Sequence, residues 1–377
     1  MIQRPFWAGR IQAAWSKTSI IWLSGARRCG KTTLAKMLGG EALYLNCDLP
    51  SVADRVADPE LFFRNCDKPV LVFDEIHQLK DPSRLLKIGA DMFPELKILA
   101  TGSSTLAAGK KFRDTLSGRK REVRLSPVLY SELKAFKVPL GRRLLHGGLP
   151  PALLAPEKDP SFFREWADSF FSRDIQALFG FRDFAKFNLL FEYLMRQSGG
   201  LLEAAKAASA LGISRPTVES HLVAMEITGA VRAVRPFFGG GRKELVKVPR
   251  IYGFDTGFVS FFRGWDQLRP SDNGTLWEHL ALDWLAARNP ETPVLYWRDK
   301  AGHELDFVLP RGRDSVDVYE CKWSPSDFSP DALKVFRAAY PKGDNYLVCP
   351  VSAGYKKRVG DFELSVRPPE AAPGGFR

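Results

Sequence analysis

Cysteine is scarce in this sequence: five residues in 377, at positions 29, 47, 66, 321 and 349. None forms a CxxC pair and none has a histidine at ligand spacing, which excludes a zinc ribbon or finger and speaks against a disulfide framework. A reducing, cytoplasmic setting is the expectation. Long apolar runs are missing as well. No uninterrupted stretch approaches the roughly 18 residues of a membrane helix, and Met1 to Phe6 lack the apolar core of a secretion signal. Acidic charge is in deficit: 43 Asp and Glu face 55 Lys and Arg, a formal net charge of +12. That imbalance favours a polyanionic partner, whether nucleic acid, anionic lipid or nucleotide. The remaining totals are ordinary. With 45% hydrophobic and 26% charged residues the chain is globular in composition, and its length accommodates two or three domains.

What is present begins with a short apolar run, Thr18 to Leu23, rich in the β-branched and aromatic residues of a buried strand. Gly25-Ala26-Arg27-Arg28-Cys29-Gly30-Lys31-Thr32-Thr33 comes directly after it, a GxxxxGK[ST] loop, and then a helical pattern to Leu38. Strand, glycine loop and helix together make a phosphate cradle. Gly25 and Gly30 let the backbone curl so that successive N–H groups face phosphate oxygens at the helix N-terminus. Lys31 places a cation on the β- and γ-phosphates of ATP, and the Thr32 hydroxyl ligates Mg²⁺.

Pro69 to Glu75 is an apolar strand ending in two carboxylates. Asp74 suits Mg²⁺ held through its water shell, and Glu75 suits polarisation of the water that attacks the γ-phosphate. A further strand, Leu96 to Ala100, runs into Thr101-Gly102-Ser103-Ser104. In nucleotide machines with a strand inserted between the two Walker strands, a polar residue here senses the γ-phosphate. Ser103 is the first choice and Thr101 the alternative. Just beyond lies a basic stretch with Lys110, Lys111, Arg113, Arg119, Lys120, Arg121 and Arg124, opposed only by Asp114 and Glu122.

The segments GARRCGKTTL, VLVFDEIHQL, ILATGSS and LSGRKREVRLSPVLYSEL resemble the ATPase half of prokaryotic AAA+ proteins akin to the origin-recognition clade. The resemblance implies an arginine that reaches into the neighbouring subunit's site. Arg119 matches that position best, with Arg121 next, so a ring or other oligomer is implied. The chain departs from the family in one respect: no second sensor arginine stands out in the next helical segment.

From Pro127 to Gly200 the pattern is helical, with Phe162, Phe163, Trp166, Phe170 and Phe171 spaced to form a packed core rather than a base-stacking face. Gly147-Gly148-Leu149-Pro150-Pro151 is its clearest break. Leu201–Leu211, a turn at Gly212-Ile213-Ser214 and Arg215–Thr228 read as a helix-turn-helix, with Ser214 as N-cap and Pro216 in the first turn. Arg215, Thr217, Glu219 and Ser220 face outward. Strand-like pieces on either side of Gly239-Gly240-Gly241 suggest a wing with Arg242 and Lys243 near its tip, suited to phosphate contact. Protein contact is the other known use of such a fold.

The last segment predicts a helix over 275–285, strands at 294–298, 304–309 and 316–322, a helix over 331–340 and a strand at 346–349. Asp306 falls on the second strand, and Glu320 and Lys322 share one face of the third. Asp306 and Glu320 can converge on a divalent metal, with Glu278 closing the site and Lys322 activating water. The arrangement resembles the PD-(D/E)xK nuclease superfamily, and also the C-terminal domain of unknown function often fused to this AAA+ type, with Leu305-Asp306 where the family has Pro-Asp. After Gly360 the chain turns Pro- and Gly-rich, which predicts fraying.

The expected organisation is an α/β P-loop AAA+ core (1–126), a helical lid (127–198), a winged helix (199–255), an αβββαβ nuclease-like domain (256–365) and a flexible tail (366–377). The expected function is Mg²⁺-dependent ATP hydrolysis by an oligomer that binds and translocates on or remodels DNA, with no membrane partner. Lys110, Lys111, Arg121, Arg215, Thr217, Ser220, Arg242 and Lys243 are the candidate DNA contacts. An ATP-gated DNA nuclease and a nucleotide-dependent switch for a protein partner are the alternatives.

Overall fold

The computed structural model describes residues 2–37, 42–102, 110–181, 183–239 and 248–370, with backbone only for 110, 111, 113, 177 and 178. Its first sheet contains β1 (Ile20–Gly25), β2 (Ala42–Asn46), β3 (Val70–Asp74), β4 (Lys97–Thr101) and β5 (Lys120–Leu125). They lie in the order β2-β3-β4-β1-β5 and every pairing is parallel. β4 is thus the strand inserted between the two Walker strands. β1 is buried at Ile20 through Ser24, as a central strand covered on both faces should be. β5, at the edge, buries only Val123 and Leu125.

Helices between Leu133 and Arg196 form the next layer. Their aromatic residues make a core: Trp166 stacks on Phe254 (4.7 Å between ring centroids) and Phe170 (5.0 Å), and Phe163 meets Phe258 edge-on. The helix Pro160–Phe170 continues into a single π-helical turn, Phe171–Ile175. At the glycine break, the Asp255 carboxylate accepts from Gly148 N (2.6 Å) and Gly257 N (2.8 Å), leaving no room for a side chain at Gly147, whose φ is 83°. Arg143 is fully buried and ties the same layer to later elements through Val128 O, Thr256 Oγ1 and Asp283.

The helices Ala204–Leu211 and Arg215–Thr228 flank the expected turn. Ser214 accepts from Thr217 N at 3.2 Å, and Gly229 ends the second helix in a left-handed conformation. Leu201, read as the start of the first helix, instead forms an antiparallel bridge to Arg250. Of the glycine-rich connection expected to form the wing, Gly240, Gly241, Arg242 and Lys243 lie outside the described residues.

The second sheet has eight strands. They are β6 (Val231–Pro236), β7 (Arg250–Gly253), β8 (Leu295–Arg298), β9 (Glu304–Pro310), β10 (Val316–Cys321), β11 (Asn345–Val348), β12 (Tyr355–Val359) and β13 (Phe362–Arg367). Their order is β12-β13-β11-β10-β9-β8-β6-β7. β6 pairs parallel with β8 at Arg235↔Leu295, so the strands after the helix-turn-helix share a sheet with the C-terminal segment. A 19-residue helix, Pro270–Arg288, precedes β8 and is longer than the pattern predicts. The fraying expected after Gly360 does not occur up to residue 370. β12 and β13 form a hairpin whose β13 pairs with β11, and Trp284 Nε1 donates to Glu370 O at 2.9 Å. Alternation in Phe362–Arg367, with Leu364 and Val366 buried, outweighs the Pro- and Gly-rich composition of the residues beyond it. Among the described residues no helix is long and apolar enough to cross a membrane.

Candidate functional sites: a nucleotide cleft and an acidic cluster

The P-loop opens where β1 ends. Gly25 (φ 144°) and Gly30 (φ 99°) take backbone conformations that favour glycine, and Arg28 between them is left-handed at φ 62°. A Cβ on Gly25 would stand 2.5 Å from Leu125 O, so the turn is packed against β5 as well as bent. Cys29 is buried beneath the loop. Lys31 Nζ donates to Gly25 O (3.0 Å) and Ala26 O (3.2 Å), which holds its charge over the loop. Thr32 and Thr33 line the same cleft, of ≈ 630 Å³.

The acids come from the end of β3. Asp74 is buried and held by two hydroxyls: Tyr44 donates to Oδ2 (2.6 Å) and Thr101 to Oδ1 (2.5 Å). Burial, and then the hydrogen bond to Asp74, push the Tyr44 phenol well above its ordinary pKa. Thr101 Oγ1 also accepts from Glu75 N at 3.1 Å. Glu75 is itself left-handed (φ 55°, ψ 43°), a strained conformation that turns its carboxylate into the cleft, with Oε2 3.2 Å from His77 Nδ1. The donor set fits ATP and Mg²⁺. The loop's backbone N–H groups and Lys31 would suit phosphate, and the Thr32 hydroxyl and Asp74 carboxylate would be the oxygen ligands for the metal. Ser103 lies outside the described residues. Thr101 is placed as a strut between the two acids.

Two contributors are not legible in the motif. Arg27 Nε pairs with Asp174 at 2.5 Å, and Trp166 Nε1 donates to Arg27 O at 3.1 Å, so the helical layer between Leu133 and Arg196 grips the P-loop. The π-helical turn that carries Asp174 also presents exposed Arg173 to the cleft, which Thr228, Gly229 and Ala230 at the end of the helix Arg215–Thr228 line as well. A π turn is often found at functional sites, but an acid and an arginine in an aromatic helix give no sequence signal for it. Tyr44 is equally hidden, because it meets Asp74 only through the pairing of β2 with β3.

Arg119 does not reach this cleft in its own chain. It forms a two-pronged pair with Asp91, at 2.6 and 3.1 Å, on the surface. Arg121 pairs with Glu291 at 2.8 Å. Arg215 pairs with Glu219 (2.8 Å), Thr217 bonds Ser214, and Ser220 donates to Thr217 O. The side chains of Lys110 and Lys111, like Arg242 and Lys243, are outside the described residues.

The C-terminal residues do converge. Asp306 Oδ2 accepts from Cys321 N (2.8 Å) and lies 3.4 Å from Lys322 Nζ. Lys322 is 3.3 Å from Glu320 Oε1, and Glu320 Oε2 accepts from Asp306 N at 3.0 Å. Glu278 enters from its helix and accepts from Tyr252 OH at 3.1 Å. Between them stands a residue the sequence pattern does not single out, Arg250 of β7. Its Nη1 is 3.6 Å from Asp306 Oδ1 and 3.9 Å from Glu278 Oε2, and its Nη2 pairs with Glu304. Burial raises Glu278 to about 8, with Asp306 adding to it and Arg250 opposing; burial and Asp306 raise Glu320 to about 8, against Lys322. Two of the three expected metal ligands, Glu278 and Asp306, therefore meet at a guanidinium, and the third, Glu320, is paired with Lys322. Among the described residues no group of three or more His, Cys, Asp or Glu side chains is arranged to hold a metal ion.

Three successive stretches of the chain match family models. Residues 139–269 and 273–365 match two domains of unknown function, DUF8612 and DUF4143. The chain is 29% identical over 321 residues to the uncharacterized protein Rv2008c of Mycobacterium tuberculosis, covering 82% of this chain and 71% of that protein. The uncharacterized protein Mb2031c of Mycobacterium bovis matches to the same extent. A solved structure of a Walker-type ATPase of Pyrococcus abyssi aligns with a TM-score of 0.46 and 14% identity, over 70% of this chain and 96% of that one. Residues 17–134 match the AAA domain family. Together with the P-loop geometry, that match supports an AAA+ ATPase in the first region of the chain.

Proposed function

We propose that the protein is a Mg²⁺-dependent ATPase that assembles with itself and couples hydrolysis to movement on, or remodelling of, DNA. The observation that carries the reading is the composition of the cleft. The P-loop, Glu75, Arg173 of the lid and the Thr228–Ala230 end of the helix-turn-helix share one space. A nucleotide bound there would touch the element that is to meet DNA.

In this reading Lys31 leaves its two carbonyls for the β- and γ-phosphate oxygens, and Thr32 and Asp74 hold Mg²⁺. Mg²⁺ supplies charge neutralisation at the phosphates. Tyr44 and Thr101 fix the Asp74 carboxylate, and Glu75 takes the proton from the attacking water. Ser103 keeps the γ-phosphate sensor role, since Thr101 is engaged by the acids, and Arg173 is the lid arginine that approaches the same phosphate. Arg119 acts on a neighbouring subunit once it leaves Asp91. Lys110, Lys111, Arg121, Arg215, Thr217, Ser220, Arg242 and Lys243 form the DNA surface, where Arg121 and Arg215 exchange a carboxylate partner for phosphate.

The test is ATP turnover measured without DNA and with single-stranded, duplex and branched DNA at one stated salt concentration. Several-fold stimulation by one form is the expected result. Indifference to all of them overturns the DNA-coupled reading in favour of a nucleotide switch for a protein partner. One observation favours that second reading: Val223 and Ile227 are 50% and 45% exposed on the outward face of the second helix, apolar where a groove-reading helix is polar.

A further inference from the structure

Beyond the ATPase reading, we propose that Arg250 is the resident cation of the C-terminal acidic cluster, occupying the place of a divalent metal and keeping this site metal-free in the isolated chain. The cluster has the residues of a metal-dependent phosphodiesterase, but a guanidinium stands among them. Its carboxylates come from separate elements: Glu278 from the long helix, Glu304 and Asp306 from β9, and Glu320 from β10. Arg250 reaches three of these four, while Lys322 bridges Asp306 and Glu320 and Arg298 joins Glu304 at 3.2 Å.

The guanidinium is seated rather than draped across the opening. Its side chain is 12% exposed, it lies over the Tyr296 ring at 5.7 Å, and Nη1 donates to Tyr252 OH at 3.3 Å. Burial opposes its charge, but Tyr252, Asp306 and Glu278 outweigh that effect. Its Nε is buried with no hydrogen-bond partner among the described residues, so the forked end is held by the carboxylates at the expense of the third nitrogen. A dication placed among the same oxygens would stand against an immobilised positive charge in a low-dielectric setting, a strongly unfavourable arrangement.

The chain path explains why Arg250 arrives there. It begins β7, the edge strand of the eight-stranded sheet, and is pinned by the bridge to Leu201 and by Gly199 N donating to Ile251 O at 2.7 Å. β7 continues from the helix-turn-helix region through its pairing with β6. The cation that fills the cluster is therefore carried by a strand of the preceding region, and a metal would have to displace that side chain.

The experiment counts Mn²⁺ bound to the full chain without nucleotide, from the loss of the free-ion electron paramagnetic resonance signal. Wild type, Asp306→Asn, Arg250→Met and Arg250→Met/Asp306→Asn are compared, with circular dichroism and thermal melting reporting the fold. Wild type and Asp306→Asn should bind the same amount, and Arg250→Met should gain one further ion that Asp306→Asn removes. Two results would overturn the proposal: an ion in wild type that Asp306→Asn abolishes, or a folded Arg250→Met that gains none. The first comparison uses unaltered Arg250, so it can overturn the proposal even where Arg250→Met does not fold.

Discussion

The nucleotide cleft and the C-terminal cluster are built from the same kinds of residue. The first has consecutive carboxylates, Asp74 and Glu75, at the end of one strand, and the second has carboxylates on two neighbouring strands and a helix. A lysine belongs to each, and each resembles a site where phosphate chemistry takes place. They differ in what holds the acids. Asp74 is fixed by the hydroxyls of Tyr44 and Thr101, while Lys31 rests on backbone carbonyls of its own loop. Asp306 and Glu320 accept from the backbone N–H groups of Cys321 and Asp306, but they also face cations, Arg250 and Lys322. Neutral donors orient a carboxylate and leave its charge for a ligand. Cationic partners take up that charge. A motif in the sequence records which acids are present; the partners decide whether they are available.

The largest expected effect separates the two directly. Lys31→Ala removes the charge that meets the phosphates and should lower ATP turnover by about a hundredfold or more, with the melting temperature unchanged, because Lys31 bonds only to a loop. Glu75→Gln should retain nucleotide binding and lose turnover, measured by equilibrium titration beside steady-state hydrolysis. If Glu75→Gln hydrolyses normally, the assigned base is wrong.

Next comes the cluster, where the sensitive quantity is stability rather than turnover. Arg250→Met leaves buried carboxylates unpaired and should destabilise the fold by about 3 kcal/mol, measured by denaturant unfolding. Adding Asp306→Asn should recover part of that loss, since it removes one of the orphaned charges. Strict additivity of the two changes would mean that they do not interact. ATP turnover of the folded Arg250→Met protein should match wild type.

How much of this contrast is legible in the sequence depends on how local each feature is. The P-loop is a contiguous run whose glycines and lysine act through their own backbone, so spacing alone locates it. Asp74 and Glu75 end a strand and are equally visible. Tyr44, Thr101 as a strut, and Arg250 act through strand order, which no periodicity records: β6 pairing with β8 brings β7 to the acids. The β12–β13 hairpin is hidden for another reason. Prolines at 368 and 369 make the whole terminus look irregular, although Phe362–Arg367 alternates as a strand should.

A pH effect sharpens the contrast further. His279, next to Glu278, is buried with Nε2 2.7 Å from Ser198 Oγ and Nδ1 2.8 Å from Thr275 O, and burial lowers its pKa to about 4. The unfolded chain takes up this proton near pH ~6.5 and the folded one only near about 4. Between those values the unfolded state binds more protons, so this contribution to stability is present above pH ~6.5 and lost as pH falls toward about 4. Glu278 and Glu320, raised to about 8, act in the opposite direction across this window, so the histidine is read from a difference. The unfolding free energy of wild type relative to His279→Gln should fall as pH falls from ~6.5 to about 4.

The smallest effect on the single chain concerns Arg119. Its pair with Asp91 is on the surface and contributes little to stability, so Arg119→Ala should melt with wild type. If Arg119 completes a neighbour's cleft, its loss is felt only in an assembly. Turnover per chain should rise with protein concentration in wild type and stay low in Arg119→Ala. Mixing Arg119→Ala with Lys31→Ala, each inactive alone, should restore part of the activity, because a mixed interface joins an intact cleft to an intact arginine. Asp91→Ala frees the arginine and should raise turnover where subunits are scarce. Failure of the mixture to recover activity, with both proteins shown to co-assemble, would place Arg119 outside the reaction and leave the Asp91 pair as its whole role.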